Sequence, residues 1–344
     1  MGEWIEPEFS KGQIRKAGKY LAGESIDKDS EEYIDSIDIL NNWRSAHSRP
    51  LQTFLVSLRK KASAYDDALV ARRLKRRPSI IGKLKRYPNM KLDSMQDLGG
   101  CRAILRNVQN VRAVESAFLH SRHRHILKRH DDYIRSPKQS GYRGIHMVYD
   151  YQSDINDKWN GLRVEIQIRT ELQHFWATAV ETVGLFTGEN LKSSIGKAEW
   201  LEFFKLMSCE IACTEQTPMV PGFDFSRAEI RDRLKALNED INVVEKLNSY
   251  NASANYVNQQ HEGKGYALII LNANSRQITV QSFRLSEVDD ALGLYAQEEE
   301  RYSDDMSVDV ALVGLDKMRN LPKTYPNYYL NMHKFVSIVK KAVA

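Results

Sequence analysis

Residues 164–170, VEIQIRT, constrain this chain more than any other segment. Side chains on a strand alternate between faces, so Val164, Ile166 and Ile168 point into a core while Glu165, Gln167 and Arg169 share the opposite face. That face sets a carboxylate, an amide and a guanidinium in a row, a set able to hold a metal, a ribose and a phosphate. Read alone, it is more readily a solvated face of an antiparallel sheet.

Further β-type runs surround it. CRAIL, RHILK, GIHMVYDYQ and LRVEIQIRT follow from about residue 101, with helical material (VRAVESAFLH) between the first two. Consecutive strands mixed with helices predict a mixed sheet with helices packed on it. Residues 11–64 read mostly as helix from apolar spacings of three and four, with Pro50 marking a break or a new first turn. A helical stretch is expected from Glu171 to about Cys213. TPMVPGFDF then marks a boundary. Ile230, Leu234, Leu237, Ile241, Val244 and Leu247 trace one apolar helical face. Beyond the polar linker 248–265, the pattern predicts two strands, a helix at 288–300, a strand, and a helix at 331–343.

The expected class is α+β (mixed α/β), with four parts. Residues 1–71 form an N-terminal helical region, and 72–213 a mixed sheet flanked by helices. A helix and linker occupy 214–263, and a small α/β unit 264–344.

Three more segments carry candidate chemistry. In MQDLGGCRAIL, Asp97 precedes two glycines and a strand holding Arg102, where a carboxylate at a sheet's mouth suits Mg²⁺. It is as readily a turn cap. Residues 72–86 hold eight cations and no carboxylate. Within them Arg73, Lys75 and Lys83 surround Ser79, which follows a proline and is placed to open a helix whose N-terminus attracts phosphate. Such runs also serve as solvated faces or RNA contacts. In DYIRSPKQSGYRGIHMVYDY, Tyr142 offers a stacking face, and Lys138, Arg143 and His146 reach phosphate or ribose.

Together these segments resemble the synthetase domain of the RelA/SpoT family, which makes the alarmones ppGpp and pppGpp. The likeness covers about residues 40–190 and rests on four motifs in the family's order. RxKxxxS runs from Arg73 to Ser79, and DLxxxR from Asp97 to Arg102. DYIxxPKxxGYxxxH runs from Asp132 to His146, and ExQIRT from Glu165 to Thr170. The helix from Gln173 through Trp176 to Glu181 looks like the one that follows in small single-domain synthetases. The resemblance implies a nucleotidyltransferase-like fold and an ATP-dependent GTP pyrophosphokinase. Arg73, Lys75, Ser79, Lys83 and Arg102 would bind ATP. Asp97 and Glu165 would be catalytic and hold Mg²⁺, with Mn²⁺ as a substitute. Lys138, Tyr142, His146, Gln167 and Arg169 would surround the acceptor. Ser140-Gly141-Tyr142 departs from the family's usual NGY, and Gly144-Ile145-His146-Met147 from the usual strand, which leaves the acceptor's identity open.

The hydrolase domain of bifunctional members is not expected, since His47 is the one histidine before residue 72. A zinc site from His123, His125 and His130 is weighed against a basic surface run and set second. The three cysteines, Cys101, Cys209 and Cys213, read as reduced thiols. No apolar run suits a signal peptide or a membrane helix of ~18 residues, so a cytoplasmic protein without membrane or DNA partners is expected. A homo-oligomer is allowed. The net charge of +5 suits phosphate handling.

Three functions compete. The first is alarmone synthesis on GDP or GTP, as in the stringent response. The second resembles the family's toxic members, which pyrophosphorylate the tRNA 3′ end. Their extra region acts as a built-in antitoxin or a sensor of phage protein, a role open to 264–344. The third is an inactive nucleotide-binding module, which has no need of both Asp97 and Glu165.

Overall fold

The computed structural model describes residues 4–189, 191–251, 255–259, 265–272, 274–275, 277–302, 305, 308–315 and 332–344. Three helices open the chain: α1 (Lys11–Leu21), α2 (Glu31–Ala46) and α3 (Ser48–Ala62). Ser10 caps α1 in a reciprocal box with Gln13, and Pro50 lies in the first turn of α3, where its missing N–H costs nothing. There follow β1 (Leu69–Leu74), α4 (Arg77–Arg86), β2 (Gly99–Leu105), α5 (Val108–Leu119), β3 (Ile126–Asp132), β4 (Ile145–Asp150) and β5 (Arg163–Thr170). Helices α6 (Glu171–Thr187), α7 (Ala198–Glu215), α8 (Arg227–Ile241) and α9 (Val243–Asn251) come next. The chain continues with β6 (Asn255–Gln259), β7 (Gly265–Asn272), β8 (Gln277–Arg284), α10 (Val288–Arg301), β9 (Val308–Leu315) and α11 (His333–Val343).

All nine of these strands join one mixed sheet in the order β3-β4-β5-β2-β1-β9-β7-β8-β6. β2 and β5 are parallel, as are β6 and β8, and the remaining neighbours are antiparallel. The inward residues of β2, β4 and β5 (Cys101, Ala103, Ile145, Met147, Val164, Ile166, Ile168) pack with α1–α5 in the largest core cluster. Helices α6 to α9 and α11 enclose a second cluster around Trp200, Phe203, Phe204 and Phe335. Burying one such aromatic contributes roughly 1.5–3 kcal/mol.

The strand alternation read at 164–170 holds. Val164, Ile166 and Ile168 are fully buried, and the row opposite them is free of helices α1–α5. Three expectations shift. The apolar face traced from Ile230 to Leu247 belongs to two helices, because Asn242 turns left-handed (φ 51°) and ends α8. The strand expected at RHILK lies two residues later, at 126–132. The C-terminal strands, read as a small unit of their own, continue the same sheet, since β9 is hydrogen-bonded beside β1 through Arg72–Gly314 and Arg73–Val313. Residues 252–254 and 260–264 of the expected linker, and residue 331 of the expected last helix, lie outside the described residues.

Candidate active site

The sheet register builds the site. Arg73 of β1 stands opposite Gly100 of β2, and Gly100 opposite Glu165 of β5. In the next row Arg102 faces Gln167, and Gln167 faces His146 of β4. Alternation puts all of these on the face away from the α1–α5 core, with Arg169 next along β5. Gly100 has no side chain, which leaves a recess between Arg73 and Glu165. That recess is lined by Arg73, Lys75, Asp97, Arg102, Glu165 and Gln167. A larger cleft shares Arg73, Arg102 and Gln167 with it and extends past Tyr142, His146 and Arg169 to α6 and α7. The two are chambers of one depression.

Asp97 sits at the mouth of the recess. It accepts from Lys75 Nζ at 3.0 Å and from Lys83 Nζ at 2.9 Å, so one carboxylate draws together the end of β1 and the middle of α4. Burial works against its charge, but the two ammonium groups prevail and hold it below the usual carboxylate range. Burial lowers the Lys75 ammonium against the pull of Asp97.

Glu165 is likewise held below its ordinary value, because hydrogen bonding and charge from His146 outweigh burial and the nearby Asp97. It accepts from His146 Nδ1 at 2.8 Å and from Gln167 Nε2 at 2.6 Å. The other ring nitrogen of His146 meets the Tyr142 hydroxyl at 2.6 Å. Burial pushes the Tyr142 phenol up to about 12, so it stays protonated against the ring nitrogen. An ionised carboxylate can only accept, so Nδ1–H donates to Glu165. Tyr142, His146, Glu165 and Gln167 thus form one oriented chain.

Lys138 lies over the rings of Tyr133 (4.3 Å) and Tyr142 (5.4 Å). Arg169 is 5% exposed, and its Nε is buried without a hydrogen-bond partner. Burial, with Arg102 and Arg73 close by, lowers its guanidinium to about 9, while Tyr142 and Glu181 oppose the shift. Cations crowded on a buried face make an environment suited to an anion.

The candidates divide accordingly. Arg73, Lys75, Arg102, Asp97, Glu165, Lys138, Tyr142, His146, Gln167 and Arg169 all line the depression. Lys83 reaches it through Asp97. Ser79 lines neither chamber. The N-terminus of α4, expected to receive phosphate, is met by a side chain from α10, with Arg77 N–H donating to Glu299 Oε1 at 3.0 Å. Arg44 Nη1 donates to the other oxygen of Glu299 at 2.7 Å, and both side chains are buried. Of the histidines weighed for zinc, His130 turns to Glu115 at 2.7 Å while His123 and His125 pack together, ring centroids 5.2 Å apart. Among the described residues no group of three potential metal ligands occurs.

Several residues of the larger cleft lie outside the four motifs, although Trp176 and Glu181 belong to the helix already likened to that of the small synthetases. Trp176, Val180 and Glu181 come from α6, Ser194 from the link to α7, and Leu201, Phe204 and Lys205 from α7. The α6 residues follow directly on β5, because Thr170 caps the helix in a reciprocal box with Gln173. A helical pattern after residue 190 gives no sign of which face meets β5.

Residues 72–183 match the family model described as "Region found in RelA / SpoT proteins". The chain is 31% identical over 128 residues to the GTP pyrophosphokinase YjbM of Bacillus subtilis (strain 168), which covers 37% of this chain and 60% of that protein. It is 30% identical over 120 residues to the GTP pyrophosphokinase YwaC of the same strain, covering 31% of this chain and 52% of that protein. The chain therefore spans about half the length of these relatives. Among solved structures, the small alarmone synthetase 1 from Bacillus subtilis bound to its product pppGpp is similar, with TM-score 0.43, 24% identity, and 49% of this chain and 89% of that chain covered. Residues 72–183, which carry all four motifs, are thus a region of the RelA/SpoT kind.

Proposed function

We propose that this chain is a pyrophosphokinase that transfers the β,γ-pyrophosphate of ATP to the 3′-hydroxyl of GDP or GTP. The observation that carries the reading is the joined depression, with a carboxylate recess on one side, a cleft with an aromatic loop on the other, and Arg73, Arg102 and Gln167 common to both. A donor polyphosphate laid along Arg73, Lys75 and Arg102 brings its β-phosphorus to the shared wall. An acceptor beside Tyr142 and Lys138 brings a ribose hydroxyl to Gln167 and Glu165. The 3′-oxygen forms a bond to Pβ, the bond from Pβ to the bridging α,β-oxygen breaks, and AMP leaves with that oxygen. The hydroxyl proton passes to Glu165. Alignment and charge neutralisation dominate such transfers.

Mg²⁺ fits the donor set. Asp97 and Glu165 are two ionised carboxylates lining one recess, and Mg²⁺ takes one or two carboxylates while substrate phosphates and water fill its remaining positions. The ion would supply charge for the polyphosphate. Lys75 and Lys83 hold Asp97 meanwhile.

A second acceptor, the tRNA 3′ end, is favoured by one observation. The α4 N-terminus beside the donor recess is met by Glu299 of the C-terminal segment, as in a transferase restrained by its own extra region. The deciding experiment measures AMP release from ATP and Mg²⁺ with GDP, GTP or bulk tRNA, at rising salt. Guanine nucleotides are expected to support release with weak salt dependence. Label on tRNA alone, lost steeply as salt rises, would replace the free-nucleotide reading, because phosphate contacts are screened. No release with any acceptor would leave a binding module. Among the described residues no helix is long and apolar enough to cross a membrane. We place the protein in the cytoplasm, where its substrates are.

A further inference from the structure

The loop that carries Lys138 and Tyr142 is held from outside the matched region. It turns tightly, with Gly141 N–H bonded to the Lys138 carbonyl (2.8 Å) and Lys138 N–H to the Tyr142 carbonyl (3.2 Å). Two bonds tie this turn to α7. Ser208 Oγ donates to the Gly141 carbonyl at 2.6 Å, and Arg143 Nε donates to the same Oγ at 2.9 Å. Ser208 is 1% exposed and Arg143 2% exposed, so neither contact is replaced by solvent without opening the structure.

The fit is steric as well. A Cβ added to Gly141 would lie 3.0 Å from Ser208 Cβ, 3.1 Å from Trp176 Cζ2 and 3.4 Å from the Phe204 carbonyl. Gly141 also has φ +91°, a conformation that side chains resist. The same Phe204 carbonyl accepts the Trp176 indole N–H at 2.7 Å. Loop, α6 and α7 therefore meet at one point, and the polar centre of that point is a single hydroxyl.

We propose that Ser208 is a positioning residue for the acceptor: it fixes the 138–142 turn, and through it the ring of Tyr142 and the ammonium of Lys138. The proposal rests on the reading that this cleft receives the acceptor. Ser208 touches neither reactant. Its hydroxyl donates to the loop backbone and accepts from the loop's arginine, a double role that Ala cannot fill and Thr can. Lost at this point, the turn is free to pivot about Lys138 and Arg143, and Tyr142 loses its setting against His146.

The test is hydrogen exchange of the full chain, read on peptides covering 138–144 and 200–212, alongside Michaelis constants for ATP and GDP. Ser208→Ala is expected to speed exchange at 138–144 while α7 stays protected, and to raise KM for GDP roughly tenfold with little change for ATP. Ser208→Thr restores both. Gly141→Ala approaches from the loop side and is expected to free the same peptide, which keeps the question answerable if Ser208→Ala fails to fold. Unchanged exchange at 138–144 in a folded variant overturns the proposal, as does an equal rise across α7. Should the wild type ignore GDP altogether, the acceptor reading fails on its own, while the exchange experiment still decides whether Ser208 holds the loop.

Discussion

Glu165→Gln is the substitution that probes the proposed chemistry most directly. Gln keeps the volume and the strand position, so Val164 and Ile166 on either side stay in the core. What changes is the polarity of one atom. Glu165 accepts from His146 Nδ1 and from Gln167 Nε2, and the new amide has one acceptor oxygen for two donors. One donor is left facing an NH₂ group, a stability loss of about 1–3 kcal/mol. The rate suffers more. A positioned base contributes roughly 10²–10⁴-fold, equivalent to about 3–5 kcal/mol of barrier. With the proton moving in the transition state, kcat and kcat/KM should fall together. The assay is AMP release with GDP as acceptor, paired with a thermal melt to show that the variant is folded. A folded Glu165→Gln within about tenfold of wild type, below the least that a base supplies, would refute the assignment.

Glu299→Gln leaves Arg44 buried without its carboxylate, an expected loss of about 3–5 kcal/mol seen as a lower melting temperature. If Glu299 restrains the donor side, AMP release per folded molecule rises; an unchanged rate makes the contact purely structural. Asp97→Ala removes the shared partner of Lys75 and Lys83 and is expected to abolish transfer in a folded protein, so turnover like the wild type's would remove Asp97 from the site. His47 packs under Gly99 at the start of β2, and burial pushes its imidazole down from 6.5 to about 4. The unfolded chain therefore binds the extra proton, and about 3 kcal/mol of stability present above pH 6.5 is lost as the pH falls towards 4. Melts of wild type and His47→Gln across that range test this, and parallel pH slopes would contradict it.

The part of the site legible in the sequence is the part that strand geometry dictates. Period-two alternation put Glu165, Gln167 and Arg169 on one face, and β5 obeys it because Val164, Ile166 and Ile168 have a core to enter. β1 was illegible for an equally physical reason. LVARRL sets Arg72 and Arg73 side by side, so it reads as the start of a basic run, yet Arg72 is covered by the Tyr266 ring while Arg73 faces the cleft. With β1 hidden, the sheet offered no edge for β9, and the C-terminal strands looked like a unit apart. Ser208 and Phe204 were illegible for another reason. The apolar run of α7 is buried on many sides, and periodicity does not say which residues of such a helix meet a loop more than sixty positions earlier.

These joints determine how the C-terminal segment must be examined. It meets the rest of the chain at β9 beside β1, at Glu299 against the N-terminus of α4, and at Phe335, whose ring stacks near Phe204 with centroids 6.2 Å apart. The first two joints adjoin the carboxylate recess and the third backs the larger cleft. Ending the chain near Thr217 would strip all three at once. β1 would lose a neighbour and become an edge, Arg44 would lose both Glu299 and the Tyr295 ring, and Phe204 would lose the Phe335 ring against it. Silence from such a shortened chain would report damage to the sheet and the aromatic core, and would say nothing of restraint. A single substitution at Glu299 leaves β9 and Phe335 in place. It separates a brake on the donor site from a structural support, which removal of the whole segment does not.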